Sequence, residues 1–263
     1  MTSVKKILEA LASGNITVEE AERELRAASF AEIANIGMLD VNRHERSGVP
    51  EVVFAETKTL EQLNKIVEML IDKNEVVLLT RVSQKKLEEL ERNNNNLIFD
   101  VKGSEDHLTV LIHSKKWSEP QKSGKIAIMT AGTSDIIYAY EAMAIARLMG
   151  VEVLTFFDVG VAGIHRLVEP IKKIHDEEID AVVVFAGMEG ALPTVVASLI
   201  EIPVIGVPVP TGYGFGGKGE TALASMLQSC APGLAVVNIG NGLGGGSVAS
   251  LIAKRCANNR ETD

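Results

Sequence analysis

The sequence predicts an α/β protein: a doubly wound parallel sheet over residues 124–263, preceded by a smaller α/β domain over 51–123 and by a helical arm and loop over 1–50. Three observations carry this. Segments 125–129, 151–156, 181–185, 203–207 and 234–237 are nearly all apolar, as strands covered on both faces by crossover helices are and half-solvated antiparallel strands are not. Helix-like stretches separate them. A run rich in Lys, Ser, Pro and Gly at 114–124 reads as the boundary before them.

Taken in order, residues 3–29 read as two helices split at Gly14 and Asn15, with Thr17 and Glu20 spaced as a capping box before the second. Residues 30–50 lose periodicity and read as a loop holding Asp40, Arg43, Arg46, Gly48 and Pro50. A strand at 52–55, a helix with Leu60, Leu63, Ile66, Val67 and Leu70 on one face, and a strand at 76–79 begin the smaller domain. A helix over 85–92 and strands at 97–101 and 108–112 complete it. In the C-terminal domain, Ser134 and Asp135 mark one helix start and Gly150 its stop. The stripe Ile164, Leu167, Val168, Ile171, Ile174 marks another helix, which Pro170 either kinks or delays.

Composition narrows the function classes. With 46% apolar and 23% charged residues, the chain has ample material for a core. A net charge of −9 and no Lys or Arg stripe argue against a nucleic-acid partner. No tract approaches about 20 uninterrupted apolar residues, so no membrane span is expected. Glu9 interrupts any leader-like apolar run after the first basic residues, and a cytoplasmic location is expected. Two cysteines, Cys230 and Cys256, provide neither a disulfide framework nor metal-ligand spacing, and the histidines form no metal pattern.

In open parallel sheets, ligands bind beyond the carboxyl ends of the strands. The loop after the first strand, Thr-Ala-Gly-Thr-Ser-Asp at 130–135, places Thr133, Ser134 and Asp135 at a helix start suited to an anion. After the third strand comes Gly-Met-Glu-Gly-Ala-Leu-Pro at 187–193, with Glu189 between Gly187 and Gly190, where a carboxylate has no obvious packing use and reads either as a functional group or as part of a solvated turn. After the fourth comes 212–219, with five glycines including Gly217 beside Lys218, which reads as a loop able to approach a ligand or close as a lid, or else as a floppy connection. Gly-Asn-Gly-Leu-Gly-Gly-Gly at 240–246 follows the last strand rather than the first, and Walker spacing is absent, so a nicotinamide dehydrogenase is disfavoured. His165 and Arg166 read either as a phosphate contact or as a helix cap. Cys230 reads either as a small buried hydrophobe or as a nucleophile flanked by these loops, with Glu189 as its acid/base partner. Cys256 reads as structural.

Together these motifs, with Pro-Val-Ile-Gly-Val-Pro at 203–208 and Cys-Ala-Pro-Gly at 230–233, resemble the PurE-type carboxylase domain. More closely, the whole chain resembles the LarB family of nickel-pincer cofactor biosynthesis proteins. The resemblance implies a PurE/flavodoxin-like sheet and a homo-octamer built on the C-terminal domain. It also implies a carboxylase and hydrolase that converts nicotinate adenine dinucleotide and CO2 into pyridinium-3,5-biscarboxylate mononucleotide and AMP. Cys230 is then the transient nucleophile and Glu189 the base. Thr133, Ser134, Asp135, Gly187, Gly190, Gly217 and Lys218 hold ribose and phosphates, and Arg43 and Arg46, with Lys58 and Arg81, grip the adenylate half. CO2 or bicarbonate is the co-substrate, Mg²⁺ is a candidate helper at the phosphoanhydride, and no nickel is held by this chain. Two departures from the purine enzymes stand out: Glu189 and its neighbours replace a histidine-bearing run, and Cys230 stands where those enzymes have Met. Rival readings are a PurE-like aminoimidazole ribonucleotide mutase and a nucleotide-binding sensor without turnover.

Overall fold

The computed structural model describes residues 4–29, 31–33, 37–40 and 43–260, and side chains within 26–39 lie outside that description. The chain divides into two compact units, one comprising residues 1–100 and 110–117 and the other 101–109 and 118–263.

In the first unit, α1 (Val4–Ala12) and α2 (Val18–Ser29) form the expected pair. Thr17 Oγ1 accepts from the Glu20 amide at 3.1 Å while Glu20 accepts from the Thr17 amide at 2.9 Å, so both orphan donors at the start of α2 are satisfied. The stretch read as a loop holds structure instead: β1 (Ala31–Ile33) pairs antiparallel with β2 (Gly37–Leu39), and α3 (Arg43–Ser47) follows. β1 (Ala-Glu-Ile) and β2 (Gly-Met-Leu) lack an apolar run like Val52-Val53-Phe54, and α3 (Arg-His-Glu-Arg-Ser) has no apolar residue to form a stripe, so pattern could not reveal them. Next come β3 (Val52–Phe54), α4 (Leu60–Asn74), β4 (Val76–Val82), α5 (Gln84–Asn93), β5 (Ile98–Ser104) and β6 (His107–His113), with sheet order β3-β4-β6-β5, residues 101–109 of β5 and β6 belonging to the second unit. β3 and β4 run parallel around α4, whose Leu63, Ile66, Val67 and Leu70 are buried as the apolar stripe requires.

The second unit carries β7 (Lys125–Thr130), α6 (Ile136–Leu148), β8 (Glu152–Phe156), α7 (Val168–Asp176), β9 (Ala181–Ala186), α8 (Ala191–Ala197), β10 (Val204–Pro208), α9 (Glu220–Leu227), β11 (Leu234–Val236) and α10 (Gly242–Arg260). The strands form a five-stranded sheet, order β11-β10-β9-β7-β8, parallel throughout. Strand order reverses between β7 and β9, the topological switch point where such sheets open a crevice. Every residue of β9 is buried, and its side chains alternate between faces. Val182 and Val184 join Met129, Leu192 and Ile174 on one side. Val183 meets α10 on the other, where a Cβ on Gly245 would lie 3.1 Å from its Cγ1.

Two sequence readings resolve here. α7 begins at Val168, leaving Pro170 within the first turn, where a missing N–H breaks no helical bond. The glycines at 240–246 serve packing: they open α10, and a Cβ on Gly246 would sit 2.6 Å from the Ala142 Cα of α6, so only glycine lets these helices approach. Among the described residues, no helix is long and apolar enough to cross a membrane.

Candidate active site

At the carboxyl ends of β7, β8, β9 and β10 lies a cavity of about 400 Å³. The loop after β7 contributes Gly132, Ser134 and Asp135; the loop after β8 contributes Gly160, Val161 and Arg166; the loop after β9 contributes Gly187, Met188 and Glu189; and the loop after β10 contributes Thr211, Gly212 and Tyr213. All four segments follow strands of one sheet, which is why residues more than 70 positions apart meet.

Asp135 anchors the floor. Its carboxylate is 3% exposed, with Oδ1 accepting from the Thr211 hydroxyl at 2.6 Å and Oδ2 from the Gly132 amide at 2.9 Å. Burial pushes its pKa up from the ordinary carboxylate value, and the Thr211 and Gly132 donors oppose that rise. Thr211 is held in turn by its carbonyl, which accepts from the Met188 amide at 2.9 Å. This close crossing of two loops demands glycine at 187, where a Cβ would fall 2.2 Å from both the Thr211 carbonyl oxygen and its hydroxyl.

A second network sits opposite. Arg166 donates to the Asp158 carboxylate at 3.0 Å and also to its carbonyl, and the Asp158 amide donates to the buried Thr130 hydroxyl at 3.1 Å. The guanidinium lies close over Gly163, where a Cβ would meet its Nε at 2.7 Å. Held at Asp158, this five-donor fork stands on the cavity wall, the arrangement that suits phosphate or carboxylate recognition.

The candidate residues are only partly assembled. Ser134, Asp135, Gly187 and Glu189 line the cavity, and Glu189 is exposed at its rim. Gly190 is buried behind it, in the left-handed region (φ 66°) against Ala222. Thr133 is exposed on the short turn leading to α6, and Gly217 and Lys218 lie farther along the loop after β10; none of the three is in the lining. Arg43 pairs with Glu51 at 3.1 Å and Arg46 with Asp40, all within the first unit.

Of the two readings of Cys230, the small buried hydrophobe does not hold, and the thiol stands apart from the cavity. It is exposed rather than buried, and it is absent from the cavity lining beside Glu189. The physical reason is the alternation of a parallel sheet. α9 leaves the carboxyl edge after β10 and carries the chain about 12 Å back toward the amino edge, where Leu234 pairs with Val204. Cys230 lies beyond the last turn of α9, at that opposite edge. Ser229 beside it accepts from the Thr194 hydroxyl at 2.9 Å, tying this segment to α8. Tyr213 lies within the glycine-rich loop 212–219 that the sequence marks, and Thr211 immediately precedes it, but neither side chain stands out in the sequence, since the signal for both is only their position after a buried strand. Among the described residues no cluster of three or more His, Cys, Asp or Glu could hold a metal.

Residues 30–104 match the LarB/PurE-like N-terminal domain, and residues 125–263 match AIR carboxylase. This chain is a member of the LarB family, with a PurE-like C-terminal domain. An uncharacterised protein of Methanocaldococcus jannaschii is 44% identical over 253 residues, covering 96% of this chain and 97% of its own. The N5-carboxyaminoimidazole ribonucleotide mutase of the same organism is 37% identical over 116 residues, 44% of this chain and 68% of that one. A crystal structure of a Treponema denticola PurE2 variant aligns at a TM-score of 0.39 and 17% identity, over 52% of this chain and 92% of that one. Membership in LarB makes the protein a carboxylase-related enzyme of the PurE family.

Proposed function

We propose that this LarB-family protein carboxylates nicotinate adenine dinucleotide at C5 of its pyridinium ring and cleaves the phosphoanhydride, yielding pyridinium-3,5-biscarboxylate mononucleotide and AMP. The observation that carries this reading is the composition of the cavity. An exposed carboxylate, Glu189, shares it with the Arg166 fork and the buried Asp135–Thr211 pair, and no histidine is among the lining residues. A purine-type mutase lacks its histidine here, whereas a proton acceptor beside an anion site suits a pyridinium nucleotide.

The chemistry follows from the ring. C5 of a pyridinium is electron-poor and cannot attack CO2. The Cys230 thiolate adds to C4, its electron pair forming the C–S bond while the ring π electrons neutralise N1, and C5 becomes the nucleophilic end of an enamine. C5 then bonds to CO2, leaving an iminium and one hydrogen on C5. Glu189 accepts that proton, the C5–C6 double bond returns, and the thiolate departs from C4 as aromaticity is restored. A soft, polarisable sulfur serves both addition and departure. Arg166 and the amides of the loop after β7 bind phosphate oxygens, and Asp135 faces the ribose hydroxyls. Water then supplies the oxygen that separates AMP from the mononucleotide.

Cys230 and Glu189 lie at opposite edges of the sheet within one chain, so the thiol serving a given cavity comes from a neighbouring copy. The octamer implied by the family resemblance makes such a composite site available. The test is direct: purified protein is incubated with nicotinate adenine dinucleotide and bicarbonate, with and without Mg²⁺, while AMP release and the added carboxyl mass are followed. Both products are expected, and absence of both under every condition overturns the proposal.

A further inference from the structure

We infer that Tyr213 recognises the substrate ring by stacking on it, and that it selects the cationic pyridinium over its neutral dihydro form. The inference rests on the proposed function for the identity of the ring, and on the following features for the residue. Tyr213 is the one aromatic side chain among the residues lining the cavity, and it shares that cavity with Glu189. Tyr213 is 82% exposed, so its ring is open to an entering ligand.

The loop that carries it is fastened at both ends. Thr211 is bonded to Asp135 and to the Met188 amide, and Gly219 is buried, where a Cβ would lie 2.8 Å from Ile239 Cγ2. Between these anchors, Gly212 and Gly214 flank Tyr213, and Gly214 takes a left-handed φ of 79°. Nothing lies within 4 Å of the position a Cβ on Gly214 would take, so the backbone has room to move. Two residues from the Thr211 anchor, the ring stays at the cavity while remaining free to turn its face inward. Phe215, fully exposed, is outside the lining.

A flat ring entering this cavity meets one π face. The aromatic quadrupole attracts a cation above the ring, and the pyridinium carries its positive charge in the plane that stacks. The dihydropyridine has lost that charge and with it the electrostatic part of the attraction. Tyr213 therefore holds substrate and product more tightly than the neutral sulfur adduct, and favours return of the adduct to the aromatic ring.

The experiment is equilibrium binding by calorimetry, with nicotinate mononucleotide and its 1,4-dihydro form as probes. It uses the full-length wild type and the Tyr213→Ala, Tyr213→Phe and Phe215→Ala variants. The wild type is expected to prefer the cationic form by on the order of tenfold, the size a partly desolvated cation over an aromatic face commands. Tyr213→Ala should reduce the ratio to near one, while Tyr213→Phe and Phe215→Ala keep it. An undiminished ratio in Tyr213→Ala, or a wild type that binds neither probe, overturns the inference. Because binding needs no turnover, failure of the carboxylation assay with an intact, Tyr213-dependent ratio would sink the proposed reaction alone.

Discussion

Replacing Thr211 by Val removes one hydroxyl and almost no volume, leaving the Asp135 carboxylate at 3% exposure with the Gly132 and Gly187 amides as its remaining donors. A hydrogen bond to a buried charge contributes roughly 1.5–3 kcal/mol, so Thr211→Val should destabilise the protein by about 2 kcal/mol at neutral pH. At some 2–4 °C per kcal/mol for a chain of this size, the midpoint should fall by about 6 °C. The effect has a definite sign with pH. The Asp135 pKa is already raised in the folded state by burial, so its contribution to stability is fully present below the unfolded value and is lost as pH rises through the folded value. Deleting a donor that opposes the rise lifts the folded pKa further and widens that window. The deficit of Thr211→Val should therefore shrink as pH falls below the ordinary carboxylate value, where Asp135 is neutral in both states and only a neutral hydrogen bond of about 1 kcal/mol is missing. Thermal melts of wild type and variant between neutral and acidic pH measure this directly. A deficit that is equal at all pH values would show that the Asp135 charge is not what Thr211 stabilises.

Other consequences are testable in parallel. Gly187→Ala drives a Cβ against the Thr211 carbonyl, and should cost about 2 kcal/mol in chemical denaturation while abolishing ligand binding as the loops after β9 and β10 separate. Arg166→Gln should weaken AMP binding about tenfold by calorimetry, through loss of charge-assisted bonds, and unchanged affinity would remove Arg166 from phosphate recognition. Cys230→Ala and Glu189→Gln should each be inactive alone. Random co-assembly of the two should recover about a quarter of wild-type activity, because some cavities then join an intact Glu189 to a neighbour's intact Cys230. Silent mixed assemblies would exclude a site shared between copies.

The N-terminal region shows where reading by pattern stops. α4 and α5 were legible because ten or more residues repeat an apolar stripe, and Thr17 with Glu20 announced a helix start because the two groups bond locally. β1, β2 and α3 left no such trace: β1 and β2 lack an apolar run like the Val52-Val53-Phe54 of equally short β3, and α3 has no apolar residue at all.

In the C-terminal domain, the apolar runs by themselves marked five strands, but the expectation that all five are covered on both faces holds only for β7, β9 and β10, because β8 and β11 form the edges of the sheet and stay partly exposed. The placement of Ser134, Asp135, Gly187 and Glu189 immediately after strands determined that they would share one edge of the sheet. Burial and the direction of a parallel strand are properties of local sequence, which is why these survive without a tertiary structure. Only the structure decided the strand order, and with it the switch point between β7 and β9 where the cavity opens. It alone joined Thr211 to Asp135 across 76 positions and Arg166 to Asp158 on the cavity wall. It also left Cys230, which precedes a parallel strand, out of the cavity formed by residues that follow such strands. Pairings between distant segments depend on how strands are ordered in space, and no local pattern of side chains encodes that order.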